Sequence, residues 1–168
     1  MTIVAARAVP YSVMADFLAG VNPTNSIASM AHQFDRVWII SVTNGVCDGT
    51  YKLLITEELE DRIALQFDDI QDKYTPNGVQ LPRDPQLVYF NDTMAKKVMD
   101  FIRRAHESRP ESQDLLVVNC HMGISRSGAI SDFARTVCGQ DYDEWKRMNQ
   151  GVIPNMHVKS LLMGAWKG

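Results

Sequence analysis

The chain has 168 residues, of which 45% are hydrophobic and 22% are charged. That is the composition of a globular domain large enough to bury a core without disulfides or metals, and we expect a single domain over residues 1–168. No segment is long and apolar enough to span a membrane, and the N-terminus lacks the regions of a secretory signal, so a cytoplasmic protein is expected. The net charge of -3 gives no positive field to attract nucleic acid or an anionic membrane, and neither partner is expected.

Apolar runs in the first half of the chain predict three strands and one helix. Residues 3–9 are typical of a first strand, after which Pro10 opens a short helix that ends at Gly20. The β-branched run of residues 36–45 is the strongest strand signal. Residues 62–70 form another apolar strand, which ends in paired carboxylates.

The second half of the chain is mostly helical. From Asn91 the apolar period predicts an amphipathic helix that covers a sheet. Residues 115–119 are continuously apolar, as expected of a central strand buried on both faces. Further helices are predicted at 127–139, 141–149 and 155–166. Strands alternating with helices predict an α/β fold with an all-helical ending.

One segment, VVNCHMGISRSGAI at residues 117–130, puts a cysteine and an arginine on the turn between the buried strand and the next helix. Cys120 ends the strand, and five loop residues separate it from Arg126. The loop N–H groups and the positive end of the helix are predicted to converge and bind an anion. Gly123 suits a backbone conformation that a side chain would obstruct.

These surroundings predict that Cys120 is a nucleophile. Stabilisation of the thiolate should lower its pKa from about 8.5 towards about 3.5 to 7.5. Arg126 offers a planar fork of donors that matches two phosphate oxygens, and the Ser127 hydroxyl can stabilise the thiolate when it leaves. The predicted chemistry is attack of Cys120 on a phosphoryl group, with a cysteinyl-phosphate later released by water. No metal or cofactor is required.

The run NCHMGISRSG resembles the signature loop of the cysteine-dependent protein tyrosine phosphatases, HCxxGxxRS, particularly in the small dual-specificity branch. Residues 152–162, VIPNMHVKSLL, are similar to the Pro-Asn segment that opens the last helix of that branch. The likeness covers roughly residue 36 to the C-terminus. It implies a central, mostly parallel sheet flanked by helices, with the loop at the strand ends, where open α/β sheets bind ligands. It also implies a phosphate-binding loop made of His121, Met122, Gly123, Ile124, Ser125 and Arg126.

The family takes the proton for the leaving oxygen from an aspartate on a mobile loop ahead of the signature. The resemblance favours Asp69 as this general acid, with Asp68 as the alternative. Asp69 lies 51 residues before Cys120, a longer interval than the small family members have. The surplus, residues 71–90, is interpreted as an inserted loop that is either a lid or a solvated surface excursion.

Three further residues need separate interpretations. Asn119 stands where the family has a histidine, and we expect its amide to hydrogen-bond the loop backbone. Cys47 is either a plain turn cysteine or, as in some family members, a partner for a protective disulfide with the nucleophile. Cys138 ends the apolar stripe of its helix and is expected in the core.

The sequence thus predicts a phosphatase whose partner is a phosphorylated protein or a small phosphate ester. The loop lacks a lysine or second arginine, which disfavours inositol polyphosphates and lipid head groups and favours phosphotyrosine, alone or with phosphoserine and phosphothreonine. The alternative is a pseudophosphatase, a non-catalytic phosphate- or phosphoprotein-binding module. A pseudophosphatase would be expected to lack the cysteine, arginine or acid, all of which are present. The five-residue spacing disfavours a rhodanese-type sulfurtransferase, and the late position of the loop disfavours an arsenate reductase.

Overall fold

Four strands and six helices lie within residues 2–21, 26–45 and 52–167, which are the residues that a computed structural model describes. The elements of these ranges are β1 (Ile3–Pro10), α1 (Tyr11–Ala19), α2 (Ser26–Ala31), β2 (Arg36–Thr43), β3 (Arg62–Gln66), α3 (Asp92–Glu107), β4 (Asp114–Cys120), α4 (Arg126–Cys138), α5 (Tyr142–Met148) and α6 (Met156–Lys167). Among these helices none has the length and apolarity needed to cross a membrane.

The strands form a parallel sheet in the order β1-β4-β2-β3. Every residue of the central strand β4 is buried, as its unbroken apolar run predicts. Pro10 of β1 lies opposite Cys120 of β4, and Ser41 of β2 lies opposite Asn119. Because parallel strands end at the same edge, the loops after all four strands meet there. The predicted α/β fold is confirmed.

Alternate side chains of each strand pack against opposite faces of the sheet. Trp38, Leu116 and Val118 face the layer formed by α3, α4 and α6, and Cys120 belongs to this set. Ile39 and Val117 face the thinner layer of α1 and α2. Full burial of one such aliphatic or aromatic side chain stabilises the fold by about 1.5–3 kcal/mol. Both layers therefore hold the carboxyl edge of the sheet in place.

Polar side chains cap the starts of three helices, and the sequence predicts the caps at Asp141 and Asn155. The Asn91 side chain accepts from the N–H of Met94 at the start of α3, and the Asp141 side chain accepts from Glu144 at the start of α5. Asn155 accepts from the N–H of Val158 at 3.2 Å in α6. Each cap contributes about 1 kcal/mol. Gly20, with φ of 67°, ends α1 in the left-handed conformation.

Two observed elements differ from the sequence prediction. The strand predicted over 62–70 ends at Gln66, because the Asp68 N–H turns away from β2 and donates to the Val88 carbonyl at 2.8 Å. Helix α2 was not predicted. It has six residues and buries only Ile27, which is too short for a helical apolar period to be recognised.

Residues 71–90 fold back on themselves. Tyr74 and Gln80 form an antiparallel bridge, and the Arg83 guanidinium donates two hydrogen bonds of 2.8 Å to Asp72. The same guanidinium lies 4.5 Å from the centre of the Tyr89 ring. The segment predicted as an inserted loop is therefore a small hairpin closed by a bidentate ion pair.

Side chains from the C-terminal half cover the free edge of β1. Asn149 accepts from the Ala8 N–H at 2.7 Å and donates to the Ala6 carbonyl at 3.0 Å, in place of a neighbouring strand. Gln140 accepts from the Ala6 N–H at 3.0 Å. These contacts satisfy an edge that would otherwise present unpaired backbone groups. They also fix the end of α5 beside the end of β1.

Candidate active site

The cysteine of the predicted nucleophile site is the last residue of β4. Its sulfur lies 3.1 Å from the Ser127 hydroxyl oxygen, in the first turn of α4, and either atom can be the donor. Cys120 is 2% exposed and Ser127 is fully buried. The structure thus brings together the predicted nucleophile and the hydroxyl predicted to stabilise it.

Glycine is required at position 123 for two reasons. Its φ is 71°, which side chains rarely adopt. A Cβ atom there would also lie 2.4 Å from the backbone nitrogen of Pro10 and 2.4 Å from the carbonyl carbon of Val9. The loop therefore packs directly on the end of β1, where the Tyr11 N–H also donates to the His121 carbonyl at 3.1 Å.

Arg126 is 5% exposed and is held by the ends of two other strands. Its Nη1 donates to the Asn44 side-chain oxygen at 3.0 Å and to the Phe67 carbonyl at 2.8 Å. Its Nε is buried and has no hydrogen-bond partner among the described residues. With Nη1 occupied, the edge formed by Nε and Nη2 remains, and that edge is suited to two oxygens of one oxyanion.

The N-terminus of α4 has no side-chain cap. Ser125 occupies the cap position, yet its hydroxyl makes no bond to the helix, and the first turn holds no acidic residue. The unpaired N–H groups and the positive end of the helix dipole are therefore not neutralised by a side chain of the first turn. Together with Arg126, this end of the helix favours a bound anion.

The Ser125 hydroxyl instead joins the loop to Asp69. It donates to Asp69 Oδ1 at 2.8 Å, and the Asn155 side-chain amide donates to the same oxygen at 2.9 Å. The Asn155 N–H donates to the Ser125 carbonyl at 3.0 Å. Asp69 itself is exposed. The strand end, the loop and the Pro-Asn segment therefore meet at one carboxylate.

Asp68 has a different environment. Its two oxygens accept from backbone N–H groups, Oδ1 from Gly45 at 3.2 Å and Oδ2 from Val88 at 2.7 Å. Asp68 is half-buried and ties the end of β2 to the end of the hairpin segment. This carboxylate acts as a structural cross-link between two loops.

The expectation for Asn119 is wrong. Its side chain is fully buried, and neither its amide nitrogen nor its oxygen has a hydrogen-bond partner within residues 2–21, 26–45 and 52–167. Strand alternation directs it to the α1 and α2 face of the sheet, away from Cys120, and its register partner Ser41 also has an unpaired hydroxyl. An unpaired buried polar group costs about 1–3 kcal/mol, so this pair lowers stability beneath the loop.

The remaining predicted residues have varied positions. Met122 is exposed on the loop, and the Ile124 carbonyl accepts from the Ile153 N–H at 3.1 Å. Cys138 is buried in the core as predicted, and burial raises the pKa of its thiol to about 12. Cys47, proposed as a disulfide partner or turn cysteine, lies outside the described residues.

Sequence reasoning missed the role of Asn44. This residue lies at the end of the predicted strand run 36–45 and was assigned no role in the site, yet its oxygen accepts a hydrogen bond from Arg126. The available signal was its position after a strand of a parallel sheet, because such residues lie at the same edge as the loop that follows β4.

No protein-family model matches the chain, and no curated protein matches it. Its structure is similar to the crystal structure of the PTP-2 phosphatase of Cydia pomonella, with a TM-score of 0.52 and 13% identity over 95% of this chain and 84% of that one. It is also similar to the human tyrosine phosphatase-like serine/threonine/tyrosine-interacting protein, with a TM-score of 0.52 and 16% identity over 97% of this chain and 91% of that one. The chain has the fold of the protein tyrosine phosphatases, as the resemblance implied.

Proposed function

We propose that the protein hydrolyses phosphate monoesters through a cysteinyl-phosphate intermediate on Cys120, in the cytoplasm and without a metal or cofactor. The observation that carries the proposal is the convergence of three groups at one loop. The Cys120 sulfur lies 3.1 Å from the Ser127 hydroxyl, and Asp69 is joined to the same loop through Ser125. A nucleophile, a group that stabilises it and a proton donor are the parts that the reaction needs.

In the first step the Cys120 thiolate attacks phosphorus, and the bond between phosphorus and the leaving oxygen breaks. Asp69 gives its proton to that oxygen, so that an alcohol or phenol departs rather than an alkoxide or phenolate. Asp69 Oδ1 is held by two donors, which leaves Oδ2 to carry the proton. The Arg126 edge and the loop N–H groups bind the transferring phosphoryl oxygens, whose charge they stabilise.

In the second step water attacks the cysteinyl-phosphate, and the bond between sulfur and phosphorus breaks. The Asp69 carboxylate takes a proton from that water and is ready for the next cycle. The Ser127 hydroxyl donates to the sulfur as negative charge returns to it. Phosphate leaves, and the enzyme regains its thiolate, so that the only net reactant besides the ester is water.

Phosphotyrosine is the favoured substrate, with phosphoserine and phosphothreonine as further candidates. Positions 121–125 of the loop carry no lysine or arginine. Apolar side chains near the loop are exposed, with Met122 at 61%, Ile153 at 72% and Met156 at 55%. An apolar rim suits an aromatic ester on a protein more than a polyanionic inositol phosphate.

Hydrolysis of an aryl phosphate by purified protein, together with binding of a phosphotyrosine peptide, tests the proposal. Wild-type protein should turn over, whereas Cys120→Ser should lose turnover and still bind the peptide. Turnover that persists in Cys120→Ser would contradict the proposed nucleophile. Wild-type protein that binds phosphate but shows no turnover from about pH 5 to 8 would instead favour the alternative.

That alternative is a phosphate- or phosphoprotein-binding module, and the burial of Cys120 supports it. Cys120 is 2% exposed and packs among core residues, a position that would also suit an unreactive cysteine. One structure of the same fold is named a phosphatase-like interacting protein. The catalytic proposal is preferred because a binding module has no need for Asp69 at the loop.

A further inference from the structure

A second pocket, with a volume of about 550 Å³, lies beside the loop on the β1 side. The end of β1, loop residues 122–124 and residues 147–152 form its walls. Cys120, Arg126 and Asp69 are not among its lining residues. The pocket therefore shares a wall with the candidate active site but none of its proposed reacting groups.

All the charged side chains that line this pocket, within the part of the chain that the structure describes, are positive. Its charged lining residues are Arg7 and Arg147, and no aspartate or glutamate is among the described lining residues. Neither arginine forms an ion pair within that part of the chain. Two cations that line one pocket, with no carboxylate among its described lining residues, favour an anionic ligand.

Arg7 is the more informative of the two arginines. It is half-buried, and its Nε is buried without a hydrogen-bond partner in the part of the chain that the structure describes. The guanidinium makes one hydrogen bond to a described residue, a weak contact of 3.9 Å with the Met30 sulfur. Burial lowers the pKa of Arg7. A partly buried cation that lacks an oxygen partner is costly, and an oxyanion would remove that cost.

Several other arginines of the described structure have oxygen partners, unlike Arg7. Arg83, Arg135 and Arg62 each donate to a carboxylate within 3.2 Å. Arg126 donates to two oxygens of its own chain. Arg7, by contrast, has only a thioether partner among the described side chains, although its Nε is buried.

We propose that this pocket binds a dianionic phosphate group held by Arg7 and Arg147, separately from the candidate active site. Two guanidinium groups match the charge of a phosphate monoester, and each can give a bidentate contact. The ligand would lie against residues 122–124, which are themselves part of the predicted phosphate-binding loop. The inference uses no proposed catalytic residue and does not depend on the proposed function.

Nuclear magnetic resonance with inorganic phosphate as the probe tests this inference. Arg7 Nε–H is buried and should give an observable signal, and potassium chloride at equal ionic strength controls for screening. We expect saturable shifts at Arg7 and Arg147, distinct from those of the loop amides. In Arg126→Met these shifts should still occur, with a Kd for phosphate within about twofold of the wild-type value. Arg7→Met should raise the Kd of this second site by about tenfold or more.

A second variant, Arg147→Met, tests the proposal even if Arg7→Met does not fold. Arg147 is exposed at the end of α5, so Arg147→Met should retain the fold and weaken the second site by about threefold or more. Arg109→Met, which lies outside the pocket, is the matched control. Equal shifts with chloride, loss of all binding in Arg126→Met, or unchanged affinity in Arg7→Met and Arg147→Met would overturn the inference.

The phosphate could belong to a free anion or to a second phosphorylated residue of a substrate. Peptides with one and with two phosphotyrosines distinguish these sources. A doubly phosphorylated peptide that binds about tenfold tighter to wild-type protein, but not to Arg147→Met, assigns the pocket to the substrate. Equal affinity for both peptides, with saturable binding of inorganic phosphate at Arg7, assigns it to a free anion.

Discussion

The Ser125 hydroxyl donates a hydrogen bond of 2.8 Å to Asp69 Oδ1, across 56 residues of sequence. This bond joins the cap position of α4 to the segment that follows β3, and the Ser125 side chain does not cap the helix. The Ser125 hydroxyl thus binds the proposed acid and does not occupy the predicted anion site at the start of α4. The adjacent Asp68 makes no such contact and binds two backbone amides instead.

Alanine substitutions of the two aspartates are predicted to have different effects, on turnover for Asp69 and on stability for Asp68. Asp69→Ala should lower kcat for a substrate with a poor leaving group by about 10²- to 10⁴-fold, because proton donation is lost. Asp68→Ala should lower the free energy of unfolding by roughly 1–3 kcal/mol, because two backbone N–H groups lose their acceptor. Steady-state kinetics and urea unfolding of both variants measure these effects. A loss of turnover in folded Asp68→Ala, with Asp69→Ala unchanged, would reverse the assignment.

Alanine substitutions at two glycines, one in the loop and one in α6, test how the loop packs against β1. Gly123→Ala should destabilise the protein by about 1–3 kcal/mol or more, since it combines a strained φ with a clash against β1. Gly164 is the control, because it lies inside α6 and a Cβ added there would meet no atom within 4 Å. Gly164→Ala should stabilise by about 0.5–1 kcal/mol. Equal effects in thermal or urea unfolding would contradict the described loop.

The local features of the site could be predicted from sequence, whereas its cross-connections could not. The buried strand, the turn with Gly123 and the helix after it follow from an apolar run, a glycine and a helical period within one short segment. The hydrogen bond from Arg126 to Asn44 depends on strand order, because the two residues are separated by 82 positions in sequence. The fate of Asn119 depends on which face of β4 it occupies, and the distinction between Asp68 and Asp69 depends on contacts with remote loops.

His106 is predicted to make stability depend on pH. Its Nδ1 accepts from the Ile3 N–H at 3.3 Å, and burial lowers its pKa from the usual 6.5. The folded state therefore favours the neutral ring, while the unfolded chain takes up a proton near pH 6.5. The contribution is fully present above that pH and is lost as the pH falls towards the lower folded pKa.

Urea unfolding between about pH 7.5 and 5 checks the prediction, since this range spans the unfolded histidine pKa and the lower values where the contribution is lost. The free energy of unfolding of wild-type protein should fall more steeply than that of His106→Gln, by a fraction of one proton. His32→Gln, at an exposed position, serves as the matched histidine-to-glutamine control. Parallel curves for wild-type and His106→Gln would show that the ring does not titrate differently on folding.

Cysteine alkylation should distinguish the two cysteines of the described structure. Burial raises the pKa of Cys138 to about 12, so it stays a thiol and should resist iodoacetamide at neutral pH in folded protein. In a Cys47→Ser background, Cys120 should be labelled first, and phosphate should slow that labelling. Peptide mass spectrometry identifies the modified residue. Cys138 labelled as fast as Cys120 in native protein would contradict the described burial.

The most direct test of the proposed reaction is rapid mixing of the protein with a phosphotyrosine peptide, followed by denaturation and mass spectrometry of the chain. The proposal predicts one covalently bound phosphoryl group per chain, located on Cys120 and absent from Cys120→Ser. Asp69→Ala should slow its release, because the water that attacks it loses its base. Peptide that is dephosphorylated without any phosphoryl group on Cys120 at any time point would contradict the central claim.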